Sequence, residues 1–220
     1  MLIAHDSHSD TGFVSATSVT WSHTISGSDR TLVVGCHQRI TGNLTSCKWN
    51  GGASMTLVRK VSGESNTRNQ EVFISPNNTE PETGTYNIVV VSPSTTILIP
   101  DAESYTGVDT ASPLDNDAAV TNTGVQNQAH GLTTVADDCW LVTFARALVT
   151  VSAGTGATMR SSDGNNGAMF DSNTSVGSAG THSITINATS STNWASVVLS
   201  IKPAGGSPAQ PSRQGAVMMM

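Results

Sequence analysis

The stretch SVTWSHTISGSDRTLVVGCHQRI, residues 18–40, holds two kinds of strand with a turn between them. In its first part apolar and polar residues alternate, so Val19, Trp21, His23 and Ile25 fall on one face, because successive side chains of a strand point to opposite sides. Alternation of this kind is expected of a sheet with one solvated face. Gly27-Ser28-Asp29-Arg30 then supplies turn chemistry. The second part puts Leu32, Val34, Cys36, Gln38 and Ile40 on one side and Val33 on the other. A continuous apolar run such as "LVVG" is expected of a strand covered on both faces.

The same two patterns recur along the chain. Strands are expected at 46–52, 54–61, 69–76, 84–93, 95–100, 102–108, 157–163, 167–172, 181–188 and 194–203. The run "CWLVTFARALVTV" (139–151) is the most apolar and is expected at the centre of a sheet, as one strand or two. "GNNG" (164–167) is a strong turn signal, and "SYTGVDTASPLDND" (104–117) reads as a long polar connection. No window sustains the i, i+3, i+4, i+7 apolar pattern of a helix. Many short strands with regular turn signals imply a sandwich or barrel. The expectation is an all-β fold, two antiparallel sheets packed face to face as a β-sandwich, with jelly-roll connections. No internal repeat is legible. After Pro203 the Gly, Ser, Pro and Gln content marks an arm, which divides the chain into a sandwich at 1–203 and an arm at 204–220.

Charged residues are 12% of the chain, whereas Ser and Thr number 29 each, so the polar surface is built from hydroxyls and amides. A net charge of −6 with scattered basic residues argues against a nucleic-acid partner, which requires clustered Lys and Arg. "MLIAHDSHSD" at the N-terminus has neither the basic nor the apolar region of a secretory leader, so none is expected in this chain. There is no run of 18 apolar residues, so no membrane-spanning helix is expected. Cys36, Cys47 and Cys139 all sit in apolar or strand-like runs and read as buried thiols; a Cys36–Cys47 bridge across neighbouring strands is the alternative.

Chemistry-bearing constellations are sparse. On a regular strand Asp6, His8 and Asp10 would share a face and could ligate a divalent ion, although terminal polar residues are ordinarily solvated. Asp101 with Glu103, and Asp115 with Asp117, are carboxylate pairs of the kind glycosidases use; capping of turns accounts for them as well. No GxSxG elbow or phosphate loop is present. No catalytic residue, metal or cofactor is therefore assigned, and the chain is not expected to be an enzyme. Among the aromatics, Trp140 and Trp194 lie in apolar strands and read as core. Trp49 borders a Gly turn and Tyr105 the long connection, so these two are the expected exposed platforms for a glycan.

The segments VTWSHTISGSDRTLVVG (19–35), WNGGASMTLV (49–58), GTYNIVVV (84–91), SYTGVDTASP (104–113) and NWASVVLSIKPA (193–204) together resemble jelly-roll or lectin-like β-sandwich domains found in phage virion proteins and in bacterial surface proteins. They span most of residues 15–204 and carry fold more than function. The resemblance implies a structural or binding module. The first expectation is a non-enzymatic virion protein, such as a phage capsid decoration protein or a related head or tail component. It would bind copies of itself and other virion proteins such as a major capsid protein. Its arm would dock on a neighbour through Val217, Met218, Met219 and Met220, since methionine adapts to irregular apolar grooves. The alternative is a glycan-binding receptor-recognition or adhesin module at the cell surface.

Overall fold

A computed structural model of the chain describes residues 2–39, 42–63, 68–162 and 167–205. The arm tip Val217–Met220 and the central residues of the "GNNG" turn lie outside the described residues. Among the described residues every regular element is a β-strand, and all pairing within the sheets is antiparallel. The first sheet comprises β1 (Ala4–Asp10), β2 (Val14–Ile25), β3 (Thr31–Gln38), β4 (Ser46–Trp49), β5 (Ala53–Ser54), β6 (Thr56–Ser62), β7 (Asn69–Ile74) and β8 (Gly84–Thr106). The second comprises β9 (Leu114–Thr134), β10 (Trp140–Arg146), β11 (Val151–Ala153), β12 (Thr158–Met159), β13 (Gly167–Asp171) and β14 (Gly180–Ile201). The expected all-β sandwich is therefore present. The connections depart from a jelly roll, because the chain completes one sheet before it starts the other.

Each sheet is folded over on itself. The segments expected as separate strands at 84–93, 95–100 and 102–108 are one bent strand, β8. Its first half pairs with most of β2 and with β4, its second half with β1, β3 and the start of β2. At the bend the register jumps from Ala16↔Thr96 to Ser18↔Val91. Ile88 and Val90 from one half of β8 consequently share a core with Leu98 and Ala102 from the other, together with Trp21, Leu32, Val34 and Cys36. The alternating face read at residues 19–25 is the buried one, and β3 is buried throughout, as its two apolar sides require. Cys36, Cys47 and Cys139 are free buried thiols.

The second sheet repeats the first. β14 is also one long bent strand, β9 pairs along it as β1 and β2 pair along β8, and β10 lies between β14 and β13 as β3 lies between β8 and β7. The correspondence extends to single hydrogen bonds. The Ser75 hydroxyl accepts from the Leu32 amide at 2.9 Å, and the Ser172 hydroxyl accepts from the Leu141 amide at 3.2 Å. Asp6 sits at a bulge in β1, where it accepts from the Ser26 amide at 2.9 Å and the Ser104 hydroxyl at 2.8 Å. Asp115, at the same break in register before Asn116, accepts from the Val135 and Ala136 amides at 2.9 and 3.0 Å and from the Ser200 hydroxyl at 3.0 Å. The chain is thus two repeats, residues 4–106 and 114–201, joined by a short connection. Residues at matching positions are called twins below.

The repeats pack through the second half of β8 with β3, β6 and β7 against β10, β13 and the second half of β14, a core that includes Val33, Val72, Ile74, Val142, Phe144, Met169, Leu199 and Ile201. Twins meet near its centre: a Cβ on Gly35 would stand 2.6 Å from Cγ of Phe144, and Phe144 is the twin of Gly35. At the chain's turning point Gly107 adopts φ +70°, and a Cβ there would stand 2.2 Å from the Leu2 carbonyl oxygen, while the Gly107 carbonyl accepts from the Ala204 amide at 2.8 Å.

The Asp6 and Asp115 clasps make matching contacts, so Asp6→Ala and Asp115→Ala are expected to cost similar amounts, about 2 kcal/mol each, from hydrogen bonds to a charged acceptor. Urea unfolding of the two variants measures both; a cost confined to one of them would contradict the equivalence.

Candidate functional site

Two features stand apart from ordinary packing, an open groove at the β4–β5 turn and a buried polar row between the sheets. The groove has a volume of about 600 Å³. Its wall is the outward face of Thr20, Ser46, Lys48, Thr85, Asn87, Val89 and Val91, and its rim is the turn Asn50-Gly51-Gly52 with Trp49 and Tyr86. The turn needs positive φ at three successive residues, 46°, 73° and 141°, which Asn and Gly tolerate. Trp49 and Tyr86 meet edge to face at 6.0 Å. The Tyr86 hydroxyl donates to Glu82 at 3.2 Å, and Asn50 donates to the same carboxylate at 3.4 Å. The surface is therefore dense in neutral donors and acceptors over an aliphatic floor. In the second repeat the strand registers replace Trp49, Lys48 and Tyr86 by Thr155, Gly154 and His182, so the rim and its cation belong to the first repeat.

Neither expected glycan platform is exposed. Trp49 is buried to 4% because β4 turns it under the sheet beside Met55 and Ile88. It still lines the groove, and its indole N–H is buried without a partner in the protein. Tyr105 is fully buried between His5 and Trp140, at 5.6 and 6.0 Å between ring centroids, and takes no part in the groove. The long connection expected at 104–117 is short, since β8 runs to Thr106 and β9 starts at Leu114.

The polar row comprises Asp101, Glu103 and Tyr105 on one face of β8, with His5 on β1 and Arg160, Ser161 and Asp171 from the second repeat. His5 Nε2 and Glu103 Oε2 are 2.5 Å apart. Arg160 grips Asp171 through both carboxylate oxygens at 2.7 and 3.0 Å, and the Ser161 hydroxyl donates to Asp101. Burial raises the Glu103 carboxyl to about 9, with the Asp171 charge adding to it and Arg160 opposing. Burial pushes Asp101 well up too, and the neighbouring Glu103 adds to the effect. The enclosed space beside Asp101, among His37, Phe144 and Arg146, measures about 10 Å³, room for a single water and none for a sugar. The carboxylate pair Asp101–Glu103 is thus brought together, but inside the sandwich and away from any cleft.

The other sequence candidates are dispersed. The bulge at Asp6 breaks the face that Asp6, His8 and Asp10 would have shared; Asp6 turns to its clasp, and Asp10 caps the Gly12 amide at 3.1 Å. Among the described residues no group of three or more His, Cys, Asp or Glu is placed to hold a metal ion. Asp115 makes the second clasp, whereas Asp117 pairs with Arg59. His23 is buried against Ser9, whose hydroxyl lies 2.8 Å from Nδ1 and also accepts from the Trp21 indole at 3.0 Å, so it has a serine where a catalytic histidine would hold a carboxylate. Neither a family model, nor a curated protein, nor a solved structure matches the chain.

Two outcomes follow from this geometry. Glu103 is protonated in the fold but ionised in the unfolded chain above about 4.5, so stability falls as the pH rises from 4.5 towards 9. His23 and His130, each held near 4 by burial against an ordinary 6.5, act oppositely: their contribution is present above 6.5 and lost as the pH falls through 4. The melting temperature is therefore expected to drop between pH 6.5 and 9, with Asp101 adding to the fall, and Glu103→Leu to make that slope shallower; an unchanged slope would contradict the assignment. Trp49→Ala, being a core truncation, is expected to cost about 3 kcal/mol of stability, measured by chemical denaturation.

Proposed function

We propose that the chain is a non-enzymatic structural component of a virus particle, a capsid decoration protein or a related head or tail part, that binds neighbouring subunits. The observation that carries the reading is where the polar chemistry has gone. Asp101, Glu103, Asp171, His23, His37, His130 and Arg146 are buried among the strands, and Asp6 and Asp115 are spent on holding bulges. The long outer strands meanwhile present Ser, Thr and Asn, as in the exposed stretch of β9 from Thr121 to Asn127. Such a surface suits adhesion to other protein faces through many neutral hydrogen bonds. The virion assignment itself is supported by the sequence resemblance. Its partners would be further copies and other virion proteins, and its location the particle.

The groove favours a second reading, glycan recognition. Its volume lies in the range of small-molecule sites, its lining is hydroxyl and amide, and the buried indole N–H of Trp49 is a donor without an acceptor. Mass spectrometry of purified particles tests the first reading, with the chain expected at a fixed copy number relative to the major shell protein. Its absence from particles would overturn that reading. A glycan array tests the second, using Lys48→Ala with Asn50→Ala as the control, since Trp49→Ala would disturb the core. Binding lost in that control is the expected result, and an array without hits would remove the glycan reading.

A further inference from the structure

We propose that the face between the two repeats is keyed, so that the first repeat pairs with the second and is barred from pairing with another copy of itself. Two halves of like topology, packed about an approximate dyad, could in principle pair like with like between chains, and tandem-repeat proteins are prone to such misassembly. Here the twin positions at the dyad differ in shape. Phe144 fills the space over Gly35, 2.6 Å from where a Cβ would stand. Two first repeats would leave a hole there the size of one ring; two second repeats would drive two rings into the space of one. The next pair of twins differs in charge: His37 and Arg146 touch each other, both buried. Two second repeats would bring two guanidinium groups together.

The polar row is the other part of the key. His5, Asp101, Glu103, Tyr105, Arg160 and Asp171 have the twins Leu114, Val197, Leu199, Ile201, Val58 and Ile74. One end of the interface is thus polar across both repeats, and the end related to it by the dyad is apolar across both. The fold itself does not require the polar set, because the same scaffold accommodates six apolar residues at the twin positions. Pairing two first repeats would face Asp101 and Glu103 with Val58 and Ile74. Pairing two second repeats would face the Arg160–Asp171 ion pair with Leu199 and Ile201. Both arrangements would set these buried polar groups against apolar side chains and lose the hydrogen bond that Ser161 of the second repeat donates to Asp101 of the first, which is costly, whereas the mixed arrangement keeps polar facing polar at one end and apolar facing apolar at the other. This is selection against wrong partners by polar groups set against apolar ones and by steric overlap.

The test uses the full chain. In one variant Phe144→Ala, Arg146→His, Arg160→Val and Asp171→Ile remove the second repeat's obstacles to self-pairing. Both proteins are unfolded in urea, refolded at increasing protein concentration and sized by light scattering. The variant is expected to give about tenfold more double-mass species than the parent, the ratio that 1.4 kcal/mol of lost discrimination yields. Mass distributions that match the parent's would overturn the proposal. Should that variant not refold, the exchange Gly35→Phe with Phe144→Gly decides. Each single change is expected to lower the urea midpoint and the double change to recover most of the loss. A double variant no more stable than the weaker single one would also overturn it.

Discussion

The contact between Phe144 and Gly35 is the constraint on which the rest of the molecule depends. Strands β3 and β10 are the middle strands of their sheets, and each is buried on every side. They approach closely enough for a phenyl ring to lie on the opposing backbone only because residue 35 lacks a side chain. That approach sets the spacing of the central core, where Val33, Val142, Ile74 and Leu199 interdigitate. It also fixes the position of the bent strands that carry the outer layers. Close packing of this kind transmits a volume change at one position to its neighbours, so the groove on the outer face and the polar row at the interface are held by the same framework.

The fold class was legible in the sequence wherever a strand has one wet face or two dry ones. Val19 to Ile25 alternated and proved to be a core face; Leu32 to Cys36 ran apolar and proved to be buried on both sides. β9 was not legible, because an edge strand exposed over much of its length has no apolar alternation, and "TNTGVQN" carries a loop's composition. The bends in β8 and β14 look like breaks in the sequence, since Ser92-Pro93-Ser94 and Thr189-Ser190-Ser191 are turn residues, yet the strands continue through them. The duplication left little trace for the same reason that makes it informative. Interior positions differ between the repeats in size and polarity, and what is shared is backbone geometry with a few clasps such as Asp6 and Asp115.

Site residues were harder to read than strands. Trp49 and Tyr105 border glycine-bearing turns, and adjacency to a turn suggests exposure. Pleating instead directs both rings inwards, Trp49 beneath its sheet and Tyr105 into the interface. Asp101 and Glu103 read as a carboxylate pair or as turn caps, and they prove to share a face of β8. Only the three-dimensional packing shows that the face is internal and that Ser161, Arg160 and Asp171 arrive from the other repeat. Local sequence has no signal for partners separated by so much chain. The groove has a faint one, the Trp-Asn-Gly-Gly string, whose left-handed backbone turns the rim outward.

Gly107 ties three parts of the chain to one point. The N-terminal segment at Leu2, the crossing from one repeat to the other and the end of the second repeat at Ala204 all meet there. Entry to and exit from the folded body are therefore side by side. A body with adjoining ends can be carried within a surface loop of a larger protein, or have its chain reconnected at residues 2 and 204 and opened elsewhere, without disturbing either sheet. The same adjacency means that anything tethered beyond residue 205 leaves from beside residue 2, so attachments at the two ends would project from a single spot.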